Sequence, residues 1–188
     1  MENCMRAKDF IAEYELTTGV MPSRVVEDDI NPADFRKREL GKVDGYRVVL
    51  YLNKHGGDNY TFITNPDETV GHITHKRPSV PGRLALSNIR KIPTASYHMD
   101  NVCHLLLNSG YTLESDNTNT ESGAHKMLQR LAHSSVSSHI EDGSGNIISI
   151  NTTITSPDAV DQYTIKSSDP EFLDNKKHKY ILVFKNES

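Results

Sequence analysis

From residue 46 onward the chain alternates short apolar blocks with turn residues, and the spacing is that of strands before it becomes that of helices. Residues 46–52 are rich in aromatic and β-branched side chains (Tyr46, Val48, Val49, Tyr51), and His55-Gly56-Gly57-Asp58 follows as a turn. Residues 60–64 and 69–75 read as the next two strands, joined across Asn65-Pro66-Asp67-Glu68. Pro78 and Pro81 frame a loop, and Gly82 opens the longest predicted strand, 83–92. There Leu84, Leu86 and Ile92 are expected on one face, with Ala85, Ile89 and Lys91 on the other. The pattern predicts a four-stranded antiparallel meander.

After Pro93 the period changes. Residues 97–108 carry Val102, Cys103, Leu105, Leu106 and Leu107, dense enough for a buried helix that Ser109-Gly110 would end. A short strand is expected at 111–114. Thr118 and Glu121 have the spacing of a capping box, and Ala124, Met127, Leu128, Leu131 and Ala132 form a stripe at i, i+3, i+4, i+7 and i+8. Residues 140–150, 163–166 and 179–185 complete the predicted strands. On the N-terminal side, residues 1–16 read as a short amphipathic segment and 23–45 as a polar connecting arm with one helical turn after Asn31. The predicted fold class is α/β of the α+β kind, a mainly antiparallel mixed sheet flanked by helices.

The 188 residues suffice for one domain with a real core, although only 36% are hydrophobic and Trp is absent. A net charge of −4 gives no global field for nucleic acid. The local cations Lys76, Arg77, Arg83, Arg90 and Lys91 read as a solvated sheet edge. Cys4 and Cys103 stand far apart with no metal spacing, as expected for a reducing compartment. No signal peptide or membrane-spanning run is visible.

Among nine histidines, His72 and His75 are three apart, which puts them on opposite faces of a strand, and His98, His104 and His125 lack helical pairing. No metal site is expected. Cys103 beside His104 does not make a dyad, since helical neighbours diverge by about 100°. Cys103 reads as a small buried hydrophobe.

Antiparallel strands, a helix, a strand, a second helix and further strands, in this order, resemble the GNAT family of N-acetyltransferases. Thr69-Val70-Gly71-His72-Ile73 looks like the third strand of that fold and 83–92 like its long fourth strand. The stretch 110–132, with Ser115-Asp116, Thr120, Gly123, Met127 and Leu131, is similar to acetyltransferase-like proteins of tailed bacteriophages. The resemblance covers about residues 46–135 and implies an N-terminal segment at 1–22, the arm at 23–45 and a single GNAT-like domain over 46–188. Such enzymes hold the cofactor pyrophosphate on backbone amides of a glycine-rich turn before the first of these helices. Here the corresponding stretch, 93–101, has neither glycine nor arginine and carries Asp100.

The resemblance implies Thr94, Ala95, Ser96 and Asn101 as the cofactor-binding positions, if any acetyl-CoA is bound, and Tyr97, Tyr111 and Glu114 as the groups available for acid–base catalysis. With the turn degenerate, no cofactor is expected. Met5 to Glu13 resembles the capsid-targeting peptides of internal head proteins in T4-like phages, with Ile11-Ala12-Glu13 matching their cleavage pattern. Together these features imply a non-catalytic phage protein, inside the virion or in the host cytoplasm, that binds a capsid or host protein. An active N-acetyltransferase is the alternative, and a nucleic-acid binder comes third.

Overall fold

The computed structural model describes residues 25–66, 68–115, 118–119, 124–134, 137–142, 144–151, 165–166 and 180–186. The N-terminal segment expected at 1–22, with its cleavage pattern, lies outside them.

Asp44 and Gly45 have φ of 51° and 88°, the pair of left-handed residues that a two-residue hairpin requires. They join Phe35–Val43 (β1) to Tyr46–Asn53 (β2). This corrects the reading of 23–45 as a connecting arm. Its charged run, Arg36 to Glu39, belongs to an edge strand, where exposed charges discourage further pairing. After Asn31, residues 32–34 form a single hydrogen-bonded turn, with the Asp34 N–H on the Asn31 carbonyl and the Ala33 N–H on Asn31 Oδ1, each at 3.1 Å; it leads into β1, and a short 3-10 turn, Glu27–Asp29, precedes it.

The meander continues through Asn59–Thr64 (β3) and Thr69–His75 (β4). The long strand expected over 83–92 is divided at Ser87 into Arg83–Leu86 (β5) and Asn88–Lys91 (β6). The interruption changes the facing: Ile89, predicted opposite Leu84 and Leu86, packs with them on the core side. It also changes partners, because β6 pairs antiparallel with β4 whereas β5 pairs parallel with Thr112–Ser115 (β7).

Met99–Asn108 (α1) links β6 to β7, and the Gly110 φ of 89° lets the chain reverse after it, as Ser109-Gly110 predicted. Thr118–Asn119 (β8) pairs parallel with Ile165–Lys166 (β11). Thr118 is therefore extended and does not cap the next helix, Ala124–His133 (α2). Thr120 and Glu121 lie outside the described residues. Ser137–Asp142 (β9) and Ile147–Asn151 (β10) form a hairpin where 140–150 was expected to be extended, and Tyr180–Lys185 (β12) inserts between β9 and β7.

The result is an α+β protein in which the described residues form two five-stranded sheets, ordered β1-β2-β3-β4-β6 and β10-β9-β12-β7-β5, beside the β8-β11 pair. Both helices contribute to one continuous apolar cluster with the inner sheet faces: Val102, Cys103 and Leu106 from α1, Met127, Leu128 and Leu131 from α2, and Leu50, Ile73, Leu113 and Phe184 from the strands. A separate small cluster, Val49, Tyr51 and Phe62, lies on the opposite face of the first sheet.

Candidate functional site

Residues 93–98 connect β6 to α1, and three amides of the stretch 93–101 are bonded within the protein. The Ala95 N–H donates to the Ile92 carbonyl at 3.1 Å and the Asn101 N–H to the His98 carbonyl at 3.1 Å. The Ser96 N–H donates to the Tyr46 hydroxyl at 3.4 Å. Thr94, Ser96 and Asn101 are exposed and Ala95 is buried. Asp100 accepts a hydrogen bond from Arg130 Nε at 3.0 Å, joining α1 to α2. Of the four expected cofactor-binding positions, three already spend their amides within the protein. Asp100 adds negative charge at the helix end that would have to face a phosphate.

Tyr97 anchors this connection. Its ring is fully buried, packs edge-on against Tyr46 with centroids 5.2 Å apart, and lies under the Lys91 ammonium at 4.9 Å. Lys91 Nζ also donates to the Tyr97 carbonyl. The phenol reaches Gly71 so closely that a Cβ there would sit 1.9 Å from its oxygen. That hydroxyl has no hydrogen-bond partner. Burial, with a smaller contribution from neighbouring Tyr46, pushes its pKa well above the ordinary phenol range. It is built as a wedge and is poorly placed to exchange a proton.

The other expected catalytic groups lie elsewhere. Tyr111 is half-buried and its hydroxyl accepts from Arg38 Nη1 at 2.8 Å, with the guanidinium 5.1 Å above the ring. This ties β1 to the segment after α1. Glu114 alternates with core residue Leu113 on β7 and so occupies the face turned away from the helices. Its two carboxylate oxygens accept from the Ser79 N–H and Ser79 Oγ, each at 2.7 Å. Tyr97, Tyr111 and Glu114 do not converge.

Glu114 instead borders a buried ion network that the sequence did not single out. Arg83 on β5 donates to both oxygens of Glu141 on β9 at 2.7 and 2.9 Å and approaches Glu114 at 3.7 Å. His139 Nε2 donates to the same Glu141. Hydrogen bonding from Arg83 first, then from His139, outweighs burial and holds the Glu141 carboxyl below its usual range. A usable signal was present: His139 and Glu141, two apart on a strand, must share a face. Their partner Arg83, distant in sequence, could not be inferred from spacing.

The candidate cation patch is likewise dispersed: Arg83 is in this network, Lys91 serves Tyr97, and Arg90 lies opposite His72 across β4 and β6. His75 is fully buried. Its Nδ1–H donates to the Ala85 carbonyl at 2.8 Å, so Nε2 accepts from the Thr61 hydroxyl at 2.7 Å. Cys103 is a core side chain 3.9 Å from Met127 Sδ, and burial pushes its thiol up to about 12. Among the described residues no cluster of metal-ligating side chains forms, and no helix is long and apolar enough to cross a membrane.

Compared with protein-family models, curated proteins and solved structures, the chain matches none.

Proposed function

We propose that this chain is a non-catalytic binding protein on a GNAT-like scaffold, of tailed-phage origin, that acts on a capsid or host protein from the virion interior or the host cytoplasm. The scaffold reading is supported by strand arrangement. β5 and β7 run parallel, the chain breaks at Ser87, and β6 turns to the other sheet while α1 bridges the parallel pair. This is the kind of divergence at which open sheets receive ligands. The phage assignment rests on the resemblance of 110–132 and of Met5 to Glu13.

One observation carries the loss of catalysis: the amides of Ala95, Ser96 and Asn101 are bonded internally, and Asp100 stands where a dianionic pyrophosphate would need positive potential. Each of those amides would have to give up its present acceptor before it could face a phosphate. Calorimetry with acetyl-CoA tests the reading. We expect no binding below about millimolar concentration. Micromolar binding, or acetylation of a generic amine, would overturn the proposal and promote an active N-acetyltransferase in its place.

A further inference from the structure

The outer face of the first sheet carries an aromatic surface edged by Lys37, Arg47 and their partner Glu39, and the chain covers it with its own residues. Phe35, Tyr51, Tyr60 and Phe62 form linked ring contacts with centroids 5.6–6.3 Å apart. Val25 and Ile30 pack against this cluster from the segment that crosses it. Between them Glu27 is the latch. Its carboxylate accepts from the Tyr51 hydroxyl at 2.7 Å and from Arg47 Nη2, and Lys37 Nζ stands 3.3 Å away. Its N–H donates to Thr69 Oγ1 at 3.1 Å.

Burial alone would raise the Glu27 pKa. The Tyr51 hydrogen bond and the Arg47 and Lys37 charges together bring it below the usual range. These partners come from β1, β2 and β4, so the seat for the carboxylate is made by the sheet. The apolar cluster beneath is distinct from the main core, so uncovering it leaves the helix side intact.

We propose that this face is a docking groove for a partner peptide carrying two apolar residues around a carboxylate, in the pattern of Val25, Glu27 and Ile30, and that residues 25–30 occupy it as a cis pseudo-ligand. The partner's chemistry follows from the occupant: apolar anchors for the aromatic cluster and a single carboxylate for Tyr51, Arg47 and Lys37, the two cations pairing also with Glu39 at 2.8 and 3.7 Å. A tethered segment acts at an effective concentration on the order of millimolar, so an untethered competitor engages only when the strap is weakened or the competitor is better. This inference rests on the binding-protein reading and gives it a surface.

The test uses the full chain and a fluorescein-labelled synthetic peptide with the sequence of residues 24–31, followed by polarisation. Wild-type protein should bind little peptide at about 100 μM, whereas the Val25→Ser/Glu27→Ala variant, whose sheet is unchanged, should bind it saturably. Adding Tyr51→Phe and Arg47→Ala should weaken that binding at least about tenfold, and so should Glu→Gln at the latch position of the peptide. If the double strap variant does not melt cooperatively, Glu27→Gln is used in its place, with faster amide exchange over 25–30 expected.

A cooperatively melting strap variant that binds no peptide overturns the groove, as does equal binding of a scrambled peptide. Capture of a single-stranded oligonucleotide in preference to the peptide would show a charge-driven surface of another class, and overturns it too. None of these outcomes bears on acetyl-CoA, so the docking surface and the non-catalytic reading fail independently.

Discussion

At the scale of single residues, the contact between Gly71 and Tyr97 is the sharpest constraint in the fold. A methyl at position 71 would lie 1.9 Å from the Tyr97 oxygen and 2.8 Å from the Arg90 carbonyl, the second of which belongs to the backbone of the neighbouring strand β6 and cannot swing aside. Gly71→Ala should therefore destabilise the protein by about 1–3 kcal/mol in urea unfolding. Tyr97→Phe removes a buried hydroxyl that has no partner, so it should be neutral or slightly stabilising. The double variant should cost less than the sum of the two, because one of the two collisions is gone. Additive costs would mean that the backbone carbonyl alone sets the penalty. The presence of Tyr97 at a helix start was legible in the sequence. That its hydroxyl fills the space of an absent Cβ on β4, 26 positions earlier, was not.

At the scale of elements, α2 shows what periodicity can deliver. Met127, Leu128 and Leu131 are buried and Lys126 is exposed, as the stripe required. Leu128→Asp puts an unpaired carboxylate into the core and should cost about 3–5 kcal/mol, whereas Lys126→Asp should stay within about 0.5 kcal/mol. Thermal melts of both variants check this, and equal midpoints would mean that the buried face is misassigned. Periodicity failed at β1 and at Ser87. An edge strand has one ladder and few apolar positions, so its residues look like a linker until a partner is known. A strand that changes partners midway keeps its composition on both sides of the break, and only pairing reveals it.

At the scale of the whole molecule, the buried histidines and depressed carboxyls make stability depend on pH with one sign on the acid side. Burial lowers both His72 and His75 to about 4, with Arg90 adding to the effect at His72 and the Ala85 hydrogen bond opposing it at His75. The unfolded chain then binds more protons than the native one between about pH 6.5 and 4, so stability is full above that window and falls as pH drops through it. At pH 5 the expected loss is on the order of 2 kcal/mol for each histidine. Below it the depressed carboxyls of Glu27 and Glu141 continue the decline, since their stabilisation is present above the unfolded carboxyl range and vanishes on protonation. Chemical unfolding at pH 7.5 and 5.0 measures the difference. His72→Leu, which removes a ring nitrogen without a partner, should flatten the dependence, and an unchanged slope would assign it elsewhere.

The amino-acid order by itself determined what is local. The turn at Ser109-Gly110, the stripe of α2, the three strands 46–52, 60–64 and 69–75, and the glycine-free connection at 93–101 all follow from spacing, conformational preference or the presence of a single residue type. Tertiary structure decided whatever depends on two distant segments meeting. It separated Tyr97, Tyr111 and Glu114, joined Arg83 to Glu141 across 58 positions, and laid Glu27 on Tyr51 and Arg47. The reason is physical: a carboxylate or a guanidinium is compatible with a solvated surface wherever it occurs, and only the fold that desolvates it selects the partner it must have.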